Sequence, residues 1–560
     1  MIEASARLAR ERFAPHNRAA DVAEPRLEDG QVRLLPDVKL ALDAYADAGF
    51  GALLADEADG GLQLPYTVAL LSDAPFLAAN VSTMGYALLA RGVANLLGAH
   101  GSEEQKRLYR QPILEGRFLG TMCLSEPQAG SSLADIGTRA EPMADGSYRL
   151  TGQKMWISGG DHELAQNIVH LVLAKIPGGP PGVKGISLFV VPKFRVNDDG
   201  TLGPRNDVRL AGLNHKLGQR GIVNTFLKFG EAGDCIGTLV GAPHQGLAQM
   251  FHMMNEARIG VGLGAIMQGL AGYEYALGYA GERRQGRHPD QKDPASPPVA
   301  LVEHADVRRM LLQQKCWCEG AFALAIRAGM LVDARDHAAD PHERQRAGLM
   351  LELLTPVLKA WSAEWCTRAN DLAIQVLGGY GYTREYPVEQ YWRDNRLNPI
   401  HEGANGIQAL DLLGRKVLMA EGAALRAVLA EVAATTAEAA RTPSLAPHAV
   451  ALDAACARIA EVTGVLAERL RAGEARLALA NASAYLTVVG HVLVGWMWLR
   501  QAQLAEAAMP TAGAADRDFY AGKLGACQWF FRHELPAVLP SLDTLRALDD
   551  TALAMRPEQF

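Results

Sequence analysis

The stretch DGSYRLTGQKMWIS (145–158) opens a run of strand-like segments in a chain whose remaining pattern is helical. Asp145–Gly146 is a hairpin signal, because this dipeptide favours the tight turns that join antiparallel strands. Three further short apolar segments follow: IVHLVLAKI (168–176), ISLFVVPK (186–193) and IVNTFLKF (222–229). Short strands of this kind indicate a compact β-barrel or sandwich, which we assign to residues 118–240.

Helical patterns flank this middle region. Residues 1–117 alternate amphipathic and apolar segments, which predicts an N-terminal helical domain. After residue 244 the spacing of Leu247, Met250, Phe251 and Met254 returns to the helical period. A helical bundle is predicted over residues 241–420, with long helices at 246–284, 302–333, 344–376 and 405–420.

The last 140 or so residues predict an extra helical domain (421–560). Thr435–Pro447 has the composition of a linker, and helices are predicted at 448–475, 478–508 and 515–547. The apolar run Ala484–Leu499 is short for a bilayer span and contains His491, so we interpret it as a buried core helix. The predicted fold class is therefore α+β: a helical domain, a β-barrel, a helical bundle and an added helical domain.

Composition narrows the functional class. The 560 residues are 49% hydrophobic and 21% charged, which is typical of a globular protein of three or four domains. The net charge of -7 offers no broad basic surface for nucleic acid. Seven scattered cysteines without a Cys-x-x-Cys pair predict reduced, buried thiols, and no signal peptide is recognisable. We therefore expect a cytoplasmic protein without a membrane span or a structural metal.

A single carboxylate stands out in QVLGGYGYTREYPVEQYWRDNRLNPIHEGANGIQ (375–408). Glu402 lies in a Gly-flanked turn, from which it can project into a cavity and act as a base if burial raises its pKa. An exposed turn glutamate is the alternative, and Glu385 and Glu389 are rival bases. His401–Glu402 also begins a zincin-like motif, but Asn405 stands where the second histidine would bind zinc.

Three more motifs accompany this block in a fixed order along the chain. They are MCLSEPQAGSS (122–132), GQKMWISGGDHE (152–163), and NEARIGVGLGA (255–265) with YAGERRQGR (279–287). Strand patterns surround the first two motifs and helical patterns surround the others. In this combination the chain resembles the acyl-CoA dehydrogenase family over residues 20–420. It is most similar to the methylthiopropionyl-CoA dehydrogenase-like branch, which has an added C-terminal helical domain.

The resemblance implies an FAD-dependent oxidoreductase that converts an acyl-CoA thioester to a trans-2-enoyl-CoA. Glu402 would abstract the α-proton while the flavin N5 takes the β-hydride, and Arg258 would support the glutamate. Ser131 and Gly403 would contact the substrate. The residues implied to bind the cofactor are Met122, Leu124, Ser125, Gly130, Ser131, Trp156, Ser158, Arg283, Gln375, Gly378, Gly379, Ala404 and Gln408.

The chain departs from the family pattern at several of these positions. Ser158 and Ala404 stand where the family usually has threonine, His401 where it often has tyrosine, and Ser132 where it has an acidic residue. Arg283 would reach the cofactor of a neighbouring subunit, which implies a homodimer or homotetramer. An electron-transfer flavoprotein is the implied electron acceptor. An oxygen-using acyl-CoA oxidase and a non-catalytic flavin-fold binding protein are the alternatives.

Overall fold

The computed structural model describes the backbone of residues 1–560 and all side chains except those of residues 251–255. It divides into two compact units, Met1–Ala257 and Arg258–Phe560. Each unit is a folded body with its own hydrophobic core. The helical spacing predicted near residue 250 includes two side chains, Phe251 and Met254, that lie outside the described residues.

The first unit begins with helices. Their bounds are Ile2–Leu8 (α1), Asn17–Val22 (α2), Pro36–Asp47 (α3), Tyr66–Ala79 (α4), Val81–His100 (α5), Glu103–Gln105 (α6) and Gln111–Leu114 (α7). The start of α5 is capped by Asn80, whose side-chain oxygen accepts a hydrogen bond from the backbone N–H of Thr83 at 3.0 Å. A hairpin of Arg26–Glu28 (β1) and Gln31–Arg33 (β2) interrupts this helical region, and the sequence analysis had not predicted it.

The middle of the chain forms strands, as predicted. They are Phe118–Cys123 (β3), Arg139–Pro142 (β4), Tyr148–Ser158 (β5), Asn167–Lys175 (β6), Ile186–Pro192 (β7), Phe194–Val196 (β8), Leu202–Arg205 (β9), Val208–Leu213 (β10), Asn224–Phe229 (β11) and Ile236–Leu239 (β12). Strand β4 pairs with both β5 and β6, while β5 pairs with β12, β12 with β7 and β7 with β6. These pairings close the sheet into a barrel.

Alternation along β6 and β7 shows why this barrel is stable. Successive side chains of a strand point to opposite faces. In β6, Val169 and Leu171 pack into the core that contains α5, whereas Val172 packs into the barrel interior with Phe189 and Val191 of β7. All residues of β7 and all but the last of β6 are buried. Burial on both faces explains the nearly continuous apolar runs in the sequence.

In its described residues the second unit contains helices and their connections but no strand. Its helices are Gly246–Glu282 (α8, which begins in the first unit), Ala305–His337 (α9), Pro341–Leu377 (α10), Val388–Asn395 (α11), Asn405–Gly414 (α12), Met419–Ala439 (α13), Ala446–Arg471 (α14), Ala475–Ala478 (α15), Ala482–Ala508 (α16), Ala514–Trp529 (α17), Leu535–Val538 (α18), Ser541–Arg546 (α19) and Thr551–Ala554 (α20). The fold class is as predicted. The four domain boundaries remain predictions.

Three helix predictions need correction. The helix predicted at 515–547 is interrupted by a turn at residues 539–540, before α19 begins at Ser541. The helix predicted at 405–420 ends at Gly414, because the backbone leaves the helical region at Arg415 (φ -136°). The predicted linker Thr435–Pro447 is mostly helical: α13 continues to Ala439, and Pro447 lies in the first turn of α14, where proline costs no helical hydrogen bond. Only residues 440–445 separate these two helices.

The apolar helix α16 is a core helix of the second unit. It is long and apolar enough to span a bilayer, but 83% of its most apolar window is buried within the protein. The indole of Trp498 is fully buried and donates a hydrogen bond to the carbonyl oxygen of Cys316 on α9, at 2.9 Å. The added helices therefore share a core with the bundle. All seven cysteines are buried and unpaired, as predicted.

Close packing of α8 against α10 sets the geometry of the candidate site. A Cβ atom on Gly262 would lie 3.1 Å from the carbonyl oxygen of Leu358, so a side chain at this position would push the two helices slightly apart. Gly260, by contrast, has open space beside it, so Gly262 rather than Gly260 lies at the close contact. Asn370 of α10 adds a polar link by donating to the Gln268 carbonyl oxygen at 2.9 Å.

Candidate active site

Glu402 lies in a strained turn just before α12. Its φ of 51° and that of Gly403, 86°, both fall in the left-handed region. For a residue with a Cβ atom this conformation costs on the order of 1–3 kcal/mol, and such strain is concentrated at functional sites. The Glu402 side chain is half-buried. The Glu402 carboxylate is thus carried by a turn and not by a helix, as the sequence analysis expected.

Two cations from neighbouring helices act on this carboxylate. Burial raises the pKa of Glu402, and the positive charges of Arg258 on α8 and Lys359 on α10 partly oppose that effect. Arg258 is itself buried and lies 3.6 Å from the Asp411 carboxylate of α12. The structure therefore brings the two predicted catalytic residues, Glu402 and Arg258, into one charged cluster.

The rival carboxylates lie in different surroundings. Glu385 is exposed to solvent, and Glu389 forms an ion pair with Arg393 one turn further along α11, at 2.5 Å. The Nε2–H of the neighbouring His401 donates a hydrogen bond to the side-chain oxygen of Asn398 at 3.0 Å. Burial and the Lys359 charge lower the pKa of His401 to about 3, so its imidazole is neutral and weakly basic. In this segment, burial raises the pKa of the Glu402 carboxyl group.

Gln408, near the start of α12, holds the Glu402–Gly403 turn by hydrogen bonds. Its amide donates to the carbonyl oxygens of Glu402 (3.2 Å) and Gly403 (3.5 Å). A Cβ atom on Gly403 would collide with this amide. The side-chain oxygen of Gln408 is buried and has no hydrogen-bond partner among the described residues. A buried acceptor without a donor is costly in a protein, so it points to a missing ligand group.

The second group of predicted residues lies in the first unit, around the loop that follows β3. Glu126 is buried in this loop and accepts hydrogen bonds from the backbone N–H groups of Gly137 (2.6 Å) and Thr138 (3.1 Å). Lys154 of β5 pairs with it at 2.9 Å and also donates to the Leu124 carbonyl oxygen. This buried pair holds the loop on β5. Met122, Leu124 and Ser125 are half-buried beside β5, whereas Gly130 and Ser131 are exposed.

Trp156 is the most unusual residue of β5. Its side chain is 62% exposed, and its φ of 66° is rare for an aromatic residue. The backbone N–H of the preceding Met155 donates to the Ser125 carbonyl oxygen at 3.0 Å, which joins the two predicted motifs. Ser158 accepts a hydrogen bond from Asn224 of β11 at 3.1 Å, so its hydroxyl hydrogen can serve another acceptor. An indole held outward in this way offers a flat apolar face.

A third group surrounds the ends of α8 and α10. Arg283 is exposed and lies 6.0 Å from the ring centre of Tyr380, and its guanidinium donates to the Gln285 side chain at 3.4 Å. Gly378 and Gly379 are exposed, with nothing within 4 Å of a Cβ atom built on either. Gln375 is exposed in the last turn of α10. Backbone without side chains beside an arginine suits close approach of a phosphate-bearing ligand.

Each unit, taken by itself, has features that suit a part of a flavin dinucleotide. An exposed, strained indole suits a planar ring system, the buried Gln408 oxygen can accept from a ring N–H, and Arg283 with Gly378 and Gly379 suits a pyrophosphate. At position 404 the chain has alanine instead of the threonine that is usual in the family it resembles. Because alanine has no hydroxyl group, the start of α12 has no side-chain cap. The described residues contain no cluster of three potential metal ligands.

Comparison with known proteins agrees with this geometry. The protein-family model "Acyl-CoA dehydrogenase, middle domain" matches residues 121–230, and the family model "Acyl-CoA dehydrogenase, C-terminal domain" matches residues 244–418. "Acetyl-CoA dehydrogenase C-terminal like" matches residues 428–556. The 3-methylmercaptopropionyl-CoA dehydrogenase of Ruegeria pomeroyi is 36% identical over 95% of this chain and 90% of its own length.

The chain belongs to the acyl-CoA dehydrogenase family. A butyryl-CoA dehydrogenase of Syntrophomonas wolfei is 34% identical over 100% of this chain and 93% of its own length. Among solved structures, an acyl-CoA dehydrogenase of Bacillus anthracis in complex with FAD superposes with a TM-score of 0.75 at 21% identity, covering 98% of this chain and 89% of that one. The match confirms the fold, including the added C-terminal domain. An acyl-CoA dehydrogenase is an enzyme that acts on CH–CH groups.

Sequence reasoning missed two residues of the Glu402 cluster, Asp411 and Lys359. The ammonium group of Lys359 donates to the Gly403 carbonyl oxygen at 2.7 Å. The signal for Lys359 was present as a lone lysine in the apolar helical run LLTPVLKAW (353–361). A lysine in such a run is rarely buried without a reason. The buried pair of Glu126 and Lys154 was also missed, although both residues lie inside quoted motifs.

Proposed function

We propose that the protein is an FAD-dependent acyl-CoA dehydrogenase in which Glu402 removes the α-proton of the acyl thioester. The observation that carries this proposal is the Glu402 turn: a half-buried carboxylate of raised pKa, held by a left-handed backbone beside two cations. A raised pKa makes a carboxylate a stronger base, and general-base action of this kind contributes about 10²–10⁴-fold in rate.

The cofactor is FAD. When bound, it supplies the acceptor for the hydride that leaves the β-carbon. We assign its ring to Trp156, Ser158 and Ser125, and its pyrophosphate to Arg283 with Gly378 and Gly379. Met122, Leu124, Gly130, Gln375, Ala404 and Gln408 complete the proposed cofactor contacts. These roles rest on exposure, backbone conformation and open space at each position.

The thioester end of the substrate is assigned to the turn itself. The backbone N–H of Glu402 donates no hydrogen bond to another protein group in the described part of the chain. It can therefore donate to the thioester oxygen, which makes the α-proton more acidic. Gly403 adds no side chain to this turn, and Ser131 is exposed and is assigned to the more distant part of the ligand.

The acyl group is proposed to be short and unbranched. The two curated relatives above, which match 95% and 100% of this chain, are named for 3-methylmercaptopropionyl and butyryl thioesters. Electron transfer to an electron-transfer flavoprotein, assembly as a homo-oligomer and a cytoplasmic location remain proposals. The exposed Arg283 supports an oligomer, because an arginine at the cofactor's phosphate position is expected to act across a subunit interface. Light scattering of the FAD-loaded protein tests the oligomer.

Anaerobic mixing with a panel of acyl-CoA thioesters tests the reaction. We expect butyryl-CoA to bleach the flavin absorbance of the wild-type protein. Glu402→Gln should slow bleaching by about 10²–10⁴-fold, because the amide cannot accept the proton. Glu389→Gln and Glu385→Gln are the matched controls and should bleach at the wild-type rate. Normal bleaching by Glu402→Gln would place the base elsewhere, and peroxide formation under air would indicate an oxidase.

A further inference from the structure

Lys359 occupies an unusual position under the Glu402 turn. It lies on α10, and none of its side chain is exposed. Its ammonium group donates to the Gly403 carbonyl oxygen at 2.7 Å and lies 3.4 Å from the side-chain oxygen of Asn405. One buried cation therefore contacts both sides of the turn that carries Glu402.

The hydrogen bonds that Lys359 makes to the turn do not by themselves explain why this position carries a positive charge. Burying an ammonium group costs several kcal/mol unless an opposite charge compensates it. In the described part of the chain, Lys359 forms no ion pair with a carboxylate and bonds only to neutral oxygens. A neutral amide donor could hold the Gly403 carbonyl at a lower cost. The feature that a neutral donor would lack is the positive charge beside Glu402.

The other charges around the turn are arranged differently. Arg258 on α8 lies 3.6 Å from Asp411, and Asp411 also pairs with Arg415 of the same helix end at 2.7 Å. Lys416 is buried but pairs with Glu352 on α10. His401 is neutral. Arg258 thus shares its charge with a carboxylate, whereas the charge of Lys359 acts on Glu402 without such a neighbour.

We propose that Lys359 is a positioning residue of the proposed dehydrogenation, which holds the Glu402–Gly403 turn and keeps the Glu402 carboxylate ionised until substrate binds. The proposal rests on the proposed function of Glu402 as the base. Burial favours the neutral form of a carboxyl group, and only the ionised form can accept the α-proton. The lysine charge counteracts this cost of burial.

The direction of the electrostatic effects agrees with this role. Burial raises the pKa of Glu402, and Lys359 lowers it. Burial lowers the pKa of Lys359 to about 8, and the Glu402 charge opposes that change. Lys359 therefore carries its proton at neutral pH and loses it above about pH 8. Removing the charge should raise the pH at which Glu402 ionises.

Two substitutions separate the charge from the hydrogen bond. Lys359→Gln keeps a donor but removes the charge, whereas Lys359→Met removes both. Lys416→Met is the matched control, because it removes another buried lysine whose pKa burial also lowers to about 8 and which does not act on Glu402. All variants are prepared as FAD-loaded protein.

The first measurement does not depend on activity. Infrared difference spectra across a pH titration report the protonated Glu402 carboxyl group, with Glu402→Gln as the reference that removes its band. We expect both Lys359 variants to lose the band at a pH about one unit or more above the wild-type midpoint. Lys416→Met should titrate as the wild type does.

The second measurement is the pH profile of flavin bleaching by butyryl-CoA. A midpoint one unit higher predicts a rate about tenfold lower at pH values below it, with a normal rate recovered at high pH. An unchanged midpoint in either folded variant, an equal shift in Lys416→Met, or failure of both variants to fold would overturn the proposal. If Glu402 is not the base, the infrared midpoint still moves but the rate profile does not, so the two proposals fail separately.

Discussion

Replacing Lys154 with methionine tests how the cofactor loop is held on the barrel. Lys154 and Glu126 are buried, and their side chains are 0% and 2% exposed. Removing one partner of a buried ion pair costs about 3–5 kcal/mol, because the remaining charge is left without compensation. Glu126 would keep its hydrogen bonds from Gly137 and Thr138, so we expect the lower end of that range, about 3 kcal/mol.

Hydrogen exchange measured by mass spectrometry is a suitable assay, because a chain of two units need not unfold in one step. A local loss of about 3 kcal/mol should speed exchange in the loop 122–138 about 100-fold. Lys228→Met is the control: it removes a partly exposed pair with Glu231, which is worth about 0–1 kcal/mol. Adding Glu126→Gln to Lys154→Met should recover part of the protection, since no buried charge then remains.

The same pair predicts a dependence on pH. Burial alone would raise the pKa of Glu126, but the Lys154 charge and the hydrogen bonds outweigh it and lower the pKa from 4.5 to about 2. The folded pKa of Glu126 is depressed, so the stabilisation is complete above pH 4.5 and is lost as the pH falls towards 2.

The substitution experiment has two outcomes that would refute the role of the buried pair. One is a wild-type exchange rate in Lys154→Met, and the other is a double variant that is no better protected than the single one.

Two further substitutions probe the Glu402 turn. Gly403→Ala should slow flavin bleaching at least tenfold while the melting temperature falls only slightly. The reason is that a Cβ atom at φ 86° displaces the Gln408 amide that holds the turn. An unchanged bleaching rate would show that the reaction does not depend on this contact. Ala404→Thr should stabilise the protein by about 1 kcal/mol, measured as a higher melting temperature, because a threonine hydroxyl caps the uncapped start of α12; no gain would mean that the hydroxyl points elsewhere.

Much of the fold follows from local pattern. The barrel was predictable because β6 and β7 are apolar on both faces, and the long helices of the bundle were predictable to within a few residues at most ends. The errors occurred where local composition misleads. Pro447 suggested a linker but lies in the first turn of α14, and the helix ending at Gly414 continued in the sequence pattern without an evident break. The β1–β2 hairpin was too short to stand out.

For the candidate site, the sequence by itself determined which residue types are available. It also placed Glu402 in a Gly-flanked turn, in an order of motifs that points to the acyl-CoA dehydrogenase family. Only the tertiary structure decided which charges act on that carboxylate. Arg258 and Lys359 come from two helices that are far apart in the chain, and Asp411 of a third helix pairs with Arg258. The physical reason is that a pKa depends on burial and on nearby charges, and both are set by packing between distant segments rather than by neighbours in the sequence.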